Sequence, residues 1–426
     1  MKRTGILLFL ALILFLVAGT VFAGGQQGGA SGGSGKASLE YWIAGDPRRT
    51  PVYQDSIADF MKANPNIEVK VVEEVGDNQQ IQQKLMTMIS AGSAPGVIHV
   101  DVMYVADMAR AGTVIDLSGF PGAKALSDSI APGAQESMIV NGKIYGYPIR
   151  ANSIQLVYNK KMFREAGLDP SKPPKTMDEL INYAVKLTKK DAAGNIQVYG
   201  FETGMTPDPH WTIHALSPIF WTFGGQYQNP DGSSGIGSDA SVKAVELWKK
   251  IMIDMKISPT ARIANGFATE KIAMALDGEW NIMPWKKDFP NLEFGFATIP
   301  VAVPGATPKI PLGGRATVIP KNVKSQDAAW KLIQWVLSDK EQMRYTSAEV
   351  GLTPKLSLAK DPWFNSNPEY KQVLNDMQYV KPKAAQNILQ MNTFWADAIQ
   401  QVIMNGADIK SSLAAANKKY NDLLGK

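Results

Sequence analysis

The 426-residue sequence has no cysteine. That absence removes disulfides, thiolate metal sites, iron–sulfur clusters and a cysteine nucleophile together. It also leaves no thiol to carry a lipid at the N-terminus. Histidine is scarce: His99, His210 and His214 are the only three. Most metal and acid–base constellations therefore lack their commonest ligand. Only 19% of residues are charged, and the net charge of +5 is spread along the chain. Nucleic-acid binding would need that charge concentrated in a basic patch. No repeat of fixed period appears. What the chain has is apolar material, 45% of its residues. Collagen-like and disordered classes are thereby excluded. The length allows two or more cores, because single cores stop growing at roughly 250–300 residues.

The first segment reads as an address. Lys2 and Arg3 precede an unbroken apolar run from Ile6 to Val17, and Val21-Phe22-Ala23 supplies small residues at a cleavage site. This pattern predicts a secretory signal peptide over residues 1–23, cut after Ala23. The competing reading is a retained membrane anchor. Residues 24–37 are rich in Gly, Ser and Gln and read as a flexible tether. A periplasmic or secreted protein is the expectation, with no other run long enough to span a bilayer.

From Ser38 onward strand and helix patterns alternate. Leu39–Ile43, Ile67–Val71 and Val97–Val102 read as strands. Helical stripes between them include Ile57, Phe60 and Met61, then Ile81, Leu85 and Met88. That rhythm predicts a largely parallel, doubly wound α/β sheet. Thr50-Pro51 looks like a helix cap, and Thr176-Met-Asp-Glu179 and Ser338-Asp-Lys-Glu341 like capping boxes. Asn141-Gly142 is a hairpin turn, followed by strands at Ile144–Ile149 and Ile154–Tyr158. The segment 206–237 looks irregular, Thr269–Leu276 a short helix, and Leu292–Thr298 and Ala316–Ile319 strands. Trp248, Trp330 and Trp335 fall on helical stripes and belong to a core.

Catalytic patterns are missing. His210 and His214 are four apart, but Trp211 stands where a zinc helix would carry Glu. There is neither a nucleophile elbow nor a phosphate loop. A dispersed pair of carboxylates, as in glycosidases, stays open to sequence reading. No metal and no cofactor is expected.

Several segments, in order, resemble family 1 extracellular solute-binding proteins, the sugar-binding subunits of ABC importers, with maltose-binding protein among them. They begin with Lys84–Val97, where Gly96 replaces the usual Asp. Asn141-Gly-Lys-Ile-Tyr-Gly-Tyr-Pro148 with Leu156-Val-Tyr-Asn-Lys160 follows. Phe163–Leu168, Pro174–Leu180 and Ala273–Trp280 continue the series. The resemblance spans residues 38–426. It implies a two-lobed fold of the type II periplasmic-binding class, each lobe a doubly wound sheet made from discontinuous segments and joined by a hinge. Lobe 1 would comprise 38–150 and 301–350, and lobe 2 151–300 and 351–426. The implied function is capture of a mono- or oligosaccharide by hinge closure and delivery to a membrane permease, by a monomer and without catalysis. The alternatives are the same fold holding a non-sugar solute, and a secreted carbohydrate-active enzyme.

A sugar presents apolar ring faces and a polar rim, which suit indole faces and planar hydrogen-bonding groups. By resemblance, Asp46 becomes a hydroxyl acceptor, and Trp280 and Trp395 stacking faces. Trp211 joins an aromatic wall with His210 and Trp221. Asn152 and Arg150 stand where the maltose-binding member has a carboxylate. Val100 and Met103 replace two of its ligand contacts, with Asp101 nearby at a strand's C-terminal end, where open α/β sheets bind ligands. Gly314 and Arg315 fall in a loop where backbone approaches ligand.

Overall fold

The computed structural model describes residues 36–44, 48–74, 78–382 and 385–426. The predicted signal peptide, nearly all of the tether, and Asp46 lie outside those residues. Ala37, read as the tether's last residue, instead opens the first strand. The strands are β1 (Ala37–Ala44), β2 (Ile67–Glu74), β3 (Val97–Asp101), β4 (Ile139–Val140), β5 (Lys143–Ile144) and β6 (Tyr147–Asn159). Then come β7 (Lys189–Lys190), β8 (Ile196–Val198), β9 (Met274–Gly278), β10 (Phe294–Ala297), β11 (Ile310–Val318) and β12 (Val380–Lys381).

The α/β rhythm of the first hundred residues becomes a parallel β2-β1-β3 array. Helices Thr50–Ala63 and Asn78–Ser90 make the crossovers. The sheet then departs from the expected parallel pattern. β11 returns from far along the chain and pairs antiparallel with β3 through Arg315–Val318, and with β6 through Leu312–Thr317. Beyond Ser153, β6 leaves β11 and pairs antiparallel with β9 and β10 instead. One strand of 13 residues thus serves two neighbourhoods. The two short strands expected around it are one, because Arg150–Ser153 pairs with β11 rather than turning.

Three other expectations change. Helix Pro209–Thr222 occupies the segment read as irregular. Its residues from Thr212 to Trp221 are all buried, so packing overrides Pro218 and weak propensity. Met274–Leu276, read as the end of a helix, belongs instead to β9, because edge pairing with β6 outweighs the helical preference of Ala and Leu. At Thr50 the hydroxyl donates to Glu73 (2.9 Å) and does not cap; Arg49 is the N-cap residue and makes no side-chain cap. Thr176 and Glu179 do form the reciprocal capping box. Trp248 is fully buried and Trp330 nearly so, whereas Trp335 is half-buried and donates its indole N–H to Ser56.

Candidate functional site

The crossing strands are sealed except at one place. Of the 13 residues of β6 only Asn152 is partly exposed. In β11 only Gly313, Gly314 and Arg315 are, and in β3 only Asp101. Pairing brings these openings together: Asn152 faces Gly313, and Arg315 faces both Arg150 and Asp101. Directly paired residues share a face of the sheet, so Asp101, Arg315, Arg150 and Asn152 form one polar row. Gly314 makes the row possible. Its φ is 113°, and a Cβ there would lie 2.3 Å from the Arg150 carbonyl oxygen.

Arg150 is 7% exposed. Burial lowers the Arg315 guanidinium, while Asp101 opposes that shift. Asp101 accepts the Met103 N–H at 3.1 Å. Under the row, buried His99 takes a 2.6 Å hydrogen bond with the Tyr41 hydroxyl. Its pKa lies well below the usual imidazole value, through burial first and then the fields of Arg150, Arg315 and Arg49. His99 is therefore neutral.

Aromatic faces stand beside the row. Trp280 follows β9, whose last residue Gly278 pairs with Ile154 of β6. The ring lies over Gly278, where a Cβ would meet it at 2.1 Å. Trp211 meets Trp280 edge to face at 5.9 Å and stacks on His214 at 5.8 Å. The Arg262 guanidinium covers Trp211 at 5.4 Å and pairs with Asp277 at 3.4 Å. The Trp211 indole N–H is buried with no partner among the described residues. Asp208 holds the start of this helix by accepting the His210 N–H at 2.9 Å.

Trp280 and Asn152 line a void of about 20 Å³ with Arg48, Arg49, Arg150, Glu279, Glu349, Gly351 and Tyr370. Burial pushes the Glu279 carboxyl up to about 8, against the fields of Arg150 and Arg49 and the Ser153 amide. One of its oxygens, Oε2, is buried without a partner among the described residues. Roomier hollows exist. One of about 570 Å³ is lined by Tyr158, Phe296 and Tyr379, and another of about 540 Å³ by Met103, Leu312 and Pro382. Neither is lined by Asp101, Arg150, Asn152, Trp211, Trp280, Gly314, Arg315 or Trp395.

Trp395 requires correction. It is wholly buried in helix Ile388–Asn405, edge-on to Phe220 and Tyr227, and donates its N–H to Ser241 at 2.9 Å. It is a core side chain with no face to offer. Sequence reasoning missed Arg48, Arg49 and Glu279. All three follow strand ends in a sheet of this kind, which was the available signal. Glu349 and Tyr370 come from distant segments and carried none. Among the described residues no group of three potential metal ligands occurs, and no helix is long and apolar enough to cross a membrane.

The profile of the bacterial extracellular solute-binding proteins matches residues 55–372. The chain belongs to that family. The maltotriose-binding protein of Pyrococcus abyssi is 25% identical over 408 residues, covering 92% of this chain and 82% of its own. The diacetylchitobiose-binding protein of Streptomyces coelicolor is 27% identical over 326 residues, covering 74% and 72%. The crystal structure of a cyclic α-maltosyl-1,6-maltose-binding protein from Arthrobacter globiformis superposes with a TM-score of 0.79 at 22% identity, covering 92% of this chain and 99% of that one. This solute-binding protein therefore has the two-lobed periplasmic-binding fold. Its family is defined by solute binding rather than catalysis.

Proposed function

We propose that this solute-binding protein captures a sugar between two lobes and passes it unaltered to the membrane permease of an ABC importer. The observation that carries the reading is the meeting of Trp280 and Trp211 beside the polar row of Asp101, Arg315, Arg150 and Asn152. Indole faces suit pyranose rings, and paired amide and guanidinium groups suit vicinal hydroxyls. The sugar ligands named for the archaeal and Streptomyces relatives support it.

Lobe 1 is assigned to 38–150 and 301–350, lobe 2 to 151–300 and 351–426. The change of partners along β6 supports the first boundary, and the Ala151 N–H bond to the Leu352 carbonyl (3.1 Å) the last. Contacts made by both lobes exist only in the closed form, so ligand shifts the hinge equilibrium. The protein acts as a monomer, exported by residues 1–23 and trailing the 24–36 tether. Thermal shift against a panel of mono- and oligosaccharides tests the reading. Stabilisation by a subset of sugars is expected. A shift with amino acids or metals and none with sugars would overturn it.

A further inference from the structure

We propose that Arg262 is a positioning residue for sugar binding: lying over Trp211 and paired with Asp277, it locks Trp211 and Trp280 into the corner against which the sugar rests. The inference rests on the sugar reading and deepens it. Trp211 stands on helix Pro209–Thr222 and Trp280 on the turn after β9, so no single element fixes their mutual angle. They meet edge to face, with ring centroids 5.9 Å apart and planes at 78°. A pyranose resting on one indole face then meets the other indole nearly at a right angle.

The Trp280 side of the corner is built round Asp277. This carboxylate is buried at 5% exposure. One oxygen accepts the Gly278 N–H at 2.8 Å and the Asn281 amide at 2.7 Å, from either side of Glu279-Trp280. The Trp280 side chain also hydrogen-bonds to the carboxylate. The other oxygen faces the Arg262 guanidinium at 3.4 Å. Trp211 lacks such an anchor. Its indole N–H makes no hydrogen bond among the described residues, so packing sets its tilt. Gly204 seats the Nε1 edge, where a Cβ would lie 3.5 Å away, and His214 stacks on the ring at 5.8 Å. Arg262 lies over the ring at 5.4 Å. It is the contact that leads from Trp211 to Asp277, and so to Trp280.

Arg262 is itself held ready. The next residue, Ile263, donates its N–H to the buried Glu202 carboxyl at 3.0 Å. The Glu202 N–H in turn bonds the Met274 carbonyl of β9 at 2.9 Å. The loop that carries the guanidinium is thus tied to the strand that carries Asp277. A corner ordered beforehand spares the ligand the entropy of fixing it. The Arg262 side chain is 43% exposed. An ion pair this open adds little to stability, so loss of Arg262 should register in binding rather than in folding.

Circular dichroism and titration calorimetry on the purified protein test this. The couplet of the two indoles is the signal lost alike in Trp211→Phe and Trp280→Phe. Arg262→Met should remove much of that couplet while the melting temperature stays near that of the wild type. The sugars offered are glucose, mannose, maltose, maltotriose and cellobiose. Arg262→Met should bind those that the wild type binds about three- to tenfold more weakly. Arg262→Lys keeps a cation over the ring and should lose less. Asp277→Asn should mimic Arg262→Met, and the double variant should lose no more than either alone. Additive losses, or an unchanged couplet in Arg262→Met, overturn the bracket. A melting temperature that collapses in both Arg262 variants makes the residue part of the framework and overturns the positioning role. A lost couplet with unchanged affinities overturns the role in binding and leaves the sugar reading standing. No heat from the wild type with any saccharide overturns both.

Discussion

Trp280 owes its orientation to a neighbour without a side chain. Gly278 leaves its Cβ position to the indole, and a methyl there would sit 2.1 Å from the ring. We expect Trp280→Ala to weaken sugar binding by about 1–3 kcal/mol in titration calorimetry, the range of lost aromatic burial and stacking. Gly278→Ala should displace the ring and weaken binding while leaving Trp280 itself in the sequence. Wild-type affinity in both variants would remove the stacking role. Glu279 gives a prediction about pH. Its folded pKa of about 8 lies above the ordinary value of 4.5. The folded state therefore holds the proton more tightly than the unfolded chain does. Stability from this group is complete below about pH 4.5 and is lost as pH rises towards about 8. Urea midpoints of Glu279→Gln should overtake those of the wild type across that window and hold a constant lead above it. A lead independent of pH would contradict this.

At the scale of elements, legibility followed the reach of the forces. The Thr176–Glu179 box and the Asn141-Gly142 hairpin turn depend on residues within one turn of each other, and both were readable. The Arg315 row was readable only in part. Asp101 sat at a strand end, but its pairing with Arg315, and that of Arg315 with Arg150, joins segments far apart in the chain. Helix Pro209–Thr222 and strand β9 were misread because burial and edge pairing, absent from local pattern, decide them. Trp395 was misplaced for a related reason. Its position in a familiar motif did not reveal that Phe220 and Tyr227 enclose it. We expect Trp395→Ala to destabilise the fold by about 3–5 kcal/mol in chemical denaturation, as large buried truncations do. A loss below about 1 kcal/mol would return the indole to the surface.

At the scale of the whole molecule, ligand-driven closure predicts a smaller radius of gyration in X-ray scattering when a binding sugar is added. An unchanged radius with saturating ligand would mean that the halves are already together or do not move. Export predicts that N-terminal sequencing of the protein from its native envelope begins at Gly24, and a start at Met1 would support the anchor reading instead.

If the halves divide as proposed, β6 and β11, which lie side by side in antiparallel register, join them as a woven strap rather than a single thread. A strap of two laced ribbons swings like a book cover but resists sliding and free spin. Every cargo, small or large, then meets the same arc of travel. Discrimination among cargoes must be written in the side chains along the spine, and an engineer seeking a sensor would need to label only the two covers.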